Sequence, residues 1–215
     1  MASKVELGTG EVHLSAFQIL GRTVALWWQK PLEWILLNVL WLFCQVLIIT
    51  GPPATALLAA TAKKAAEGEE WDLRAVVGQF GQVFGPAWGW ALLNGLVTGL
   101  IVANFMLYQP ASGVAWGILR TCWAAIGLGF FALNLFYWPF WLYQDDHSLW
   151  TTYRNSMLFL ARDPLRGLLL TVLCLLLCVA GALLTLPFAA FLASWLALAG
   201  VLAVQSELTP KRAGS

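Results

Sequence analysis

Charge is scarce in this sequence. Lys, Arg, Asp and Glu make up 11% of 215 residues, whereas apolar residues make up 60% and the mean hydropathy is +0.75. A chain with so little polar surface cannot fold in water without leaving a large apolar area uncovered, which excludes a soluble domain and predicts an integral membrane protein. The net charge of +1 says nothing of partners, because in this class the placement of charge carries the information. Membrane lipid and either a protein partner or a second copy of the chain are expected; nucleic acid is not.

Chemistry-bearing side chains are equally few. Histidine occurs only at His13 and His147, so neither a His-Glu-x-x-His site nor a Ser/His/Asp arrangement can be assembled, and no Gly-rich phosphate loop is present. The cysteines, Cys44, Cys122, Cys174 and Cys178, all fall inside expected spans, where a free thiol packs as a small apolar group. Cys174 and Cys178 lie one helical turn apart, but no histidine or third cysteine accompanies them, so neither metal nor cofactor is expected. An enzyme is not expected either. Residues 1–11 carry Lys4, Glu6 and Glu11 without an apolar core, which reads as a polar tail and not an export signal.

What is present is a unit that recurs three times: an amphipathic helix, a proline, then an apolar hairpin. The junctions are Gln29-Lys30-Pro31, Phe84-Gly85-Pro86 and Arg162-Asp163-Pro164. Proline suits the first turn of a helix, where its missing N–H has no intrahelical partner, so each proline predicts the start of a span. The chain therefore reads as one membrane domain, 1–215, with unit one over 12–66, unit two over 72–143, unit three over 147–206 and a polar tail over 207–215. Surface helices are expected at Val12–Gln29, from Asp72 to Phe84 and at Leu149–Leu160. Spans are expected at Pro31–Thr50, Ala54–Ala66, Pro86–Gln109, Val114–Tyr143, Pro164–Leu186 and Pro187–Gln205. Ala54–Ala66 is the weakest of them, because its apolar part is short for a bilayer core of about 30 Å. The thirteen tryptophans cluster near segment ends, where an amphipathic ring suits the interface.

Charge placement supports six crossings. With that number, both termini and all three surface helices share one side, and of the twelve Lys and Arg residues only Arg120 falls elsewhere. Positive residues are retained in the cytoplasm during insertion, so both termini are expected inside a bacterial inner membrane.

The stretch Thr50-Gly51-Pro52-Pro53-Ala54-Thr55-Ala56, with its following basic pair and Glu69-Glu70, resembles the YesL family of bacterial membrane proteins. So does Tyr137 to Leu168, with its aromatic-proline cluster, Arg154-Asn155-Ser156 and Asp163-Pro164. The resemblance implies an all-helical membrane fold and an association with carbohydrate uptake, but no defined activity.

Two groups of residues stand out as candidate sites. Arg120 lies six residues into its expected helix, with Asn104 and Gln109 as the polar groups at similar depth, and forms a candidate intramembrane polar site. Gly85/Gly89, Gly95/Gly99 and Gly113/Gly117 have the small-xxx-small spacing that lets helix backbones approach, and are candidate packing positions within the chain or with a partner. Asn38, Asn94, Thr98, Asn134 and Thr171 are the polar residues a transport path would need. Three functions fit: an accessory or assembly subunit of a larger membrane complex, a small channel or carrier acting as an oligomer, and a structural subunit of a respiratory or photosynthetic assembly. Cysteine-accessibility labelling tests the topology. A cysteine at Ser112 should react from outside and one at Ser206 only from inside, and outside access at Gly68 or Glu69 would remove the second crossing.

Overall fold

The structure, a computed structural model, describes residues 14–107, 113–184 and 186–208, which form helices and short connections without a strand. In chain order the helices are α1 (Ala16–Gln29), α2 (Pro31–Val46), α3 (Gly51–Glu67), α4 (Leu73–Gly78), α5 (Phe80–Leu107), α6 (Val114–Tyr143), α7 (Leu149–Arg162), α8 (Pro164–Leu184) and α9 (Leu186–Leu208). Four of them, α5, α6, α8 and α9, are long and apolar enough to cross a membrane. α2 is apolar but shorter, and α3 does not qualify.

Local chemistry sets most boundaries. α1 opens on a capping box: the Ser15 N–H donates to Gln18 Oε1 at 2.8 Å and the Gln18 N–H to Ser15 Oγ at 3.3 Å. The helix therefore starts at Ala16, four residues later than expected; Val12 and His13 lie outside the described residues. Asp72 caps α4 and Ser148 caps α7, each accepting a backbone N–H three residues on. Asp146 braces the second cap. The Thr151 hydroxyl and the Ser148 N–H donate to its carboxylate and hold its pKa below the ordinary range, so this contribution is present at neutral pH and lost as pH falls through the lowered value. At the end of α3, Gly68 takes the left-handed conformation (φ 74°) and its N–H and that of Glu69 donate to the Ala65 and Lys64 carbonyls, a Schellman closure.

Proline marks two of the three junctions as expected. Lys30 and Asp163, each before a proline, have nearly the same backbone, φ −137° ψ 59° and φ −134° ψ 75°, because the proline ring bars them from the helical region. The middle junction differs. Pro86 lies inside α5 instead of at its start, and the surface helix expected from Asp72 to Phe84 shrinks to α4, ending at Gly78. Gly78, Gly81 and Gly85 weaken that stretch by about 1 kcal/mol each relative to alanine, and the chain breaks beside the first of them, at Gln79. α2 also stops early, at Val46 instead of Thr50. The chain then turns through Ile48 in a left-handed conformation (φ 59°), and Pro52 and Pro53 fall in the first turns of α3 instead of the loop. The last turn moves as well: α8 ends at Leu184 and α9 starts at Leu186, with Thr185 outside the described residues.

Helix packing repeats in a cycle. Grouped as α1–α3, α4–α6 and α7–α9, the last helices α3, α6 and α9 pack on one another at the centre. The long helix before each of these packs both on it and on the last helix of the preceding group: α2 on α3 and α9, α5 on α6 and α3, α8 on α9 and α6. The leading short helices follow the same rule, with α1 on α9, α4 on α3 and α7 on α6. The first group thus closes against the third.

The closest of these contacts joins α6 to α9. Pro139 has no N–H to give the Leu135 carbonyl, and Gly200 of α9 sits directly on that carbonyl. A Cβ at residue 200 would lie 2.5 Å from Leu135 O and 3.1 Å from Pro139 Cγ. Only glycine fits, and its Cα–H groups face an oxygen that the helix itself leaves without a donor. Gly200→Val should therefore lower stability by about 1–3 kcal/mol, the usual cost of overpacking a close contact. Gly78→Ala, in open space, should be tolerated in the same thermal-unfolding measurement.

Candidate functional site

The residues singled out by sequence gather on the α5–α6 hairpin, away from the centre of the bundle. Arg120 sits half-buried on α6 and Asn104 half-buried on α5, where the Asn104 amide donates to its own helix at the Leu100 carbonyl (2.8 Å). Gln109 lies outside the described residues. The glycines do not pair helices within the chain. Among the described residues nothing lies within 4 Å of where a Cβ would stand at Gly85, Gly95, Gly99, Gly113 and Gly117, and at Gly89 the nearest atom is Leu149 Cδ1 of α7 at 3.5 Å. Among the described residues only the base of the hairpin, around Val83, Ala87, Ala132, Phe136 to Pro139 and Trp141, is buried. Beyond it Leu92, Leu96, Leu100, Val102, Val114 and Ile118 are exposed.

A second arginine, placed by its sequence position near the start of a span, is buried more deeply than Arg120. Arg166 is 9% exposed. Its Nη2 donates to Ser206 Oγ and to the Ala203 carbonyl (3.4 Å), and its Nη1 lies 3.8 Å from Glu207 Oε2. Arg162 Nη1 approaches the other oxygen of the same carboxylate at 3.3 Å. The cluster ties the start of α8 to the end of α9. Proximity to Pro164 concealed it, because residues at helix ends ordinarily snorkel to water.

The polar residues considered for a transport path do not converge. Asn38, fully buried, donates to the Trp34 carbonyl and Ser194 Oγ (both 2.7 Å) and accepts the Ser194 N–H (3.0 Å), while Trp27 Nε1 donates to the same Ser194 oxygen (3.2 Å). This knot joins α1, α2 and α9. Thr171 donates to the Gly167 carbonyl of its own helix (2.7 Å), and Thr98 is exposed. Asn94 donates to the Trp90 carbonyl (2.8 Å) and Tyr153 Oη (3.0 Å), and Tyr153 in turn donates to Asn134 Oδ1 (3.2 Å).

Asn134 alone of these lines a cavity at the centre of the bundle. This chamber of about 460 Å³ lies among α3, α6 and α9, with one residue each from α2 (Trp41), α5 (Trp90) and α8 (Cys178). Leu58, Phe131, Leu135, Trp138, Leu192 and Leu196 supply most of the remaining wall. Two indoles anchor its polar groups in parallel ways: Trp41 Nε1 donates to Thr55 Oγ1 (3.0 Å) and Trp90 Nε1 to Asn134 Oδ1 (2.9 Å). Gln45, one turn after Trp41, also donates to Thr55 (3.1 Å). Among the described residues no group of three His, Cys, Asp or Glu side chains could hold a metal ion.

The two arginines should respond differently to substitution. Arg166→Leu removes the partner shared by the half-buried Glu207 and Ser206, with Arg162 still beside Glu207, and should cost about 2–3 kcal/mol. Arg120→Leu removes a charge together with its desolvation cost and should change stability by about 1–2 kcal/mol in either direction. Thermal unfolding in mild detergent compares them directly, and equal effects would contradict the difference in burial.

No family model, curated protein or solved structure matches the chain, and the functional reading rests on the geometry of the hairpin and the chamber.

Proposed function

We propose that this protein is a non-enzymatic accessory or assembly subunit of a larger membrane complex, docking through its α5–α6 hairpin on a partner's transmembrane helices. The carrying observation is the open small-residue face of that hairpin. Glycines in a membrane helix sacrifice helix stability and side-chain contact unless another backbone comes close, and at Gly95, Gly99 and Gly117 none does among the described residues, whereas Gly113 precedes α6 with a φ of 112° that itself favours glycine. The hairpin is also long: α5 and α6 have 28 and 30 residues against 16 and 17 in α2 and α3. At the helical rise that is a difference of roughly 20 Å.

Six crossings with both termini cytoplasmic in a bacterial inner membrane complete the reading. The cyclic packing supports this count, since α2 and α3 occupy positions equivalent to the four helices long enough to span. A channel or carrier is the weaker reading, because the buried Asn38 lies apart from the half-buried Asn94–Tyr153–Asn134 group and each amide is engaged within the bundle. The resemblance to the YesL family makes the membrane subunits of a sugar-uptake system the first partner to examine.

A photo-crosslinking residue at Gly99 should yield an adduct in native membranes, and one at Leu165, exposed on α8, should not. Gly95→Ile with Gly99→Ile should dissolve the complex recovered in mild detergent without lowering the unfolding temperature. An intact complex after that double substitution, or a chain that runs alone in styrene–maleic acid particles, would overturn the proposal.

A further inference from the structure

The central chamber offers water few free polar groups. Thr55 Oγ1 accepts from Trp41 and Gln45 and donates to the Gly51 carbonyl (3.1 Å). Asn134 Oδ1 accepts from Trp90 and Tyr153, and its amide donates to the Phe130 carbonyl (2.9 Å). A buried water needs two to four polar partners; the Thr55 hydroxyl and Asn134 Oδ1 are already engaged, which leaves only donors, the unpaired Trp138 Nε1 and the second Asn134 N–H, and no acceptor among these side chains. Among the described residues the remaining wall is hydrocarbon, indole and thiol.

An empty chamber is no better. At about 460 Å³ it is three times the size of the roughly 150 Å³ engineered apolar cavity that stays dry and takes up benzene. Every wall atom facing such a void loses its dispersion contacts. The volume lies within the roughly 300–1,000 Å³ typical of ligand sites.

We propose that the chamber holds one acyl chain of a membrane phospholipid. Trp41, Trp90 and Cys178 belong to the outer helices α2, α5 and α8 and are half-buried, so the wall extends from the central helices to the layer of the bundle that lipid surrounds. A lipid tail is the apolar ligand present there at the highest concentration. Its transfer from bilayer to protein gains little from the hydrophobic effect, since both environments are apolar. The driving force is the filling of the void against rigid aromatic walls, and the headgroup stays outside. The chain thereby completes the packing between α3, α6 and α9.

The test uses the full chain in nanodiscs of phosphatidylcholine whose acyl chain ends in a diazirine, with photo-adducts mapped by mass spectrometry. Adducts are expected on Trp41, Phe131 or Leu192 in the chamber wall as well as on Leu92 and Leu96 of the exposed α5 face. Ala193→Trp fills the chamber from α9 and should abolish the wall adducts while leaving those at Leu92 and Leu96 unchanged. Leu196→Phe fills it less and serves where the larger ring prevents folding, as judged by the unfolding temperature. Adducts confined to Leu92 and Leu96 in the unsubstituted protein, or wall adducts that survive a folded filling variant, would overturn the proposal.

Discussion

Everything in this bundle depends on three helices meeting at one place. In lipid there is no hydrophobic drive to bring helices together, since a tail is as apolar as leucine, so association must come from close backbone approach and interhelical hydrogen bonds. The faces of α3, α6 and α9 that meet supply the first through small side chains: Ala56, Ala59 and Ala62 on α3, Ala132 on α6, and Ala199, Gly200 and Ala203 on α9. Gly200 against the carbonyl released by Pro139 is the extreme case. A proline that would merely bend an isolated helix here creates an acceptor, and a glycine on the neighbouring helix makes it reachable.

Hydrogen bonds supply the second requirement and spend the buried amides in doing so. Asn38 locks α2 to α9 through Ser194, and Asn94, Asn134 and Tyr153 lock α5, α6 and α7 together. Where α8 begins and α9 ends, the Arg162, Arg166 and Glu207 cluster pins the two together. Polar side chains used this way are satisfied and rigid, which suits a scaffold and leaves few groups to line an aqueous path.

Two surfaces remain unfinished by the chain itself, and both are apolar. One is the projecting part of α5–α6, whose glycines face open space; the other is the chamber, whose wall has few free polar groups and unfilled volume. A partner helix and a lipid chain are the occupants whose chemistry matches each.

The all-helical, apolar character, the helix starts at Pro31 and Pro164 and the surface helix opening at Asp72 were determined by the sequence alone, because composition, capping and backbone restriction act within a few residues. The same locality explains the misplaced limits: Pro86 looks like a helix start until the glycines before it are weighed, and Val46 gives no local sign that α2 stops there. Tertiary structure alone decided which faces meet. An apolar helix presents the same leucines and alanines to lipid as to a neighbouring helix, so no periodicity in α5, α8 or α9 separates the two. The burial of Arg166, the openness of Gly95 and Gly99, and the fit of Gly200 on Leu135 are set by residues tens of positions away, beyond the reach of any rule that reads the chain locally.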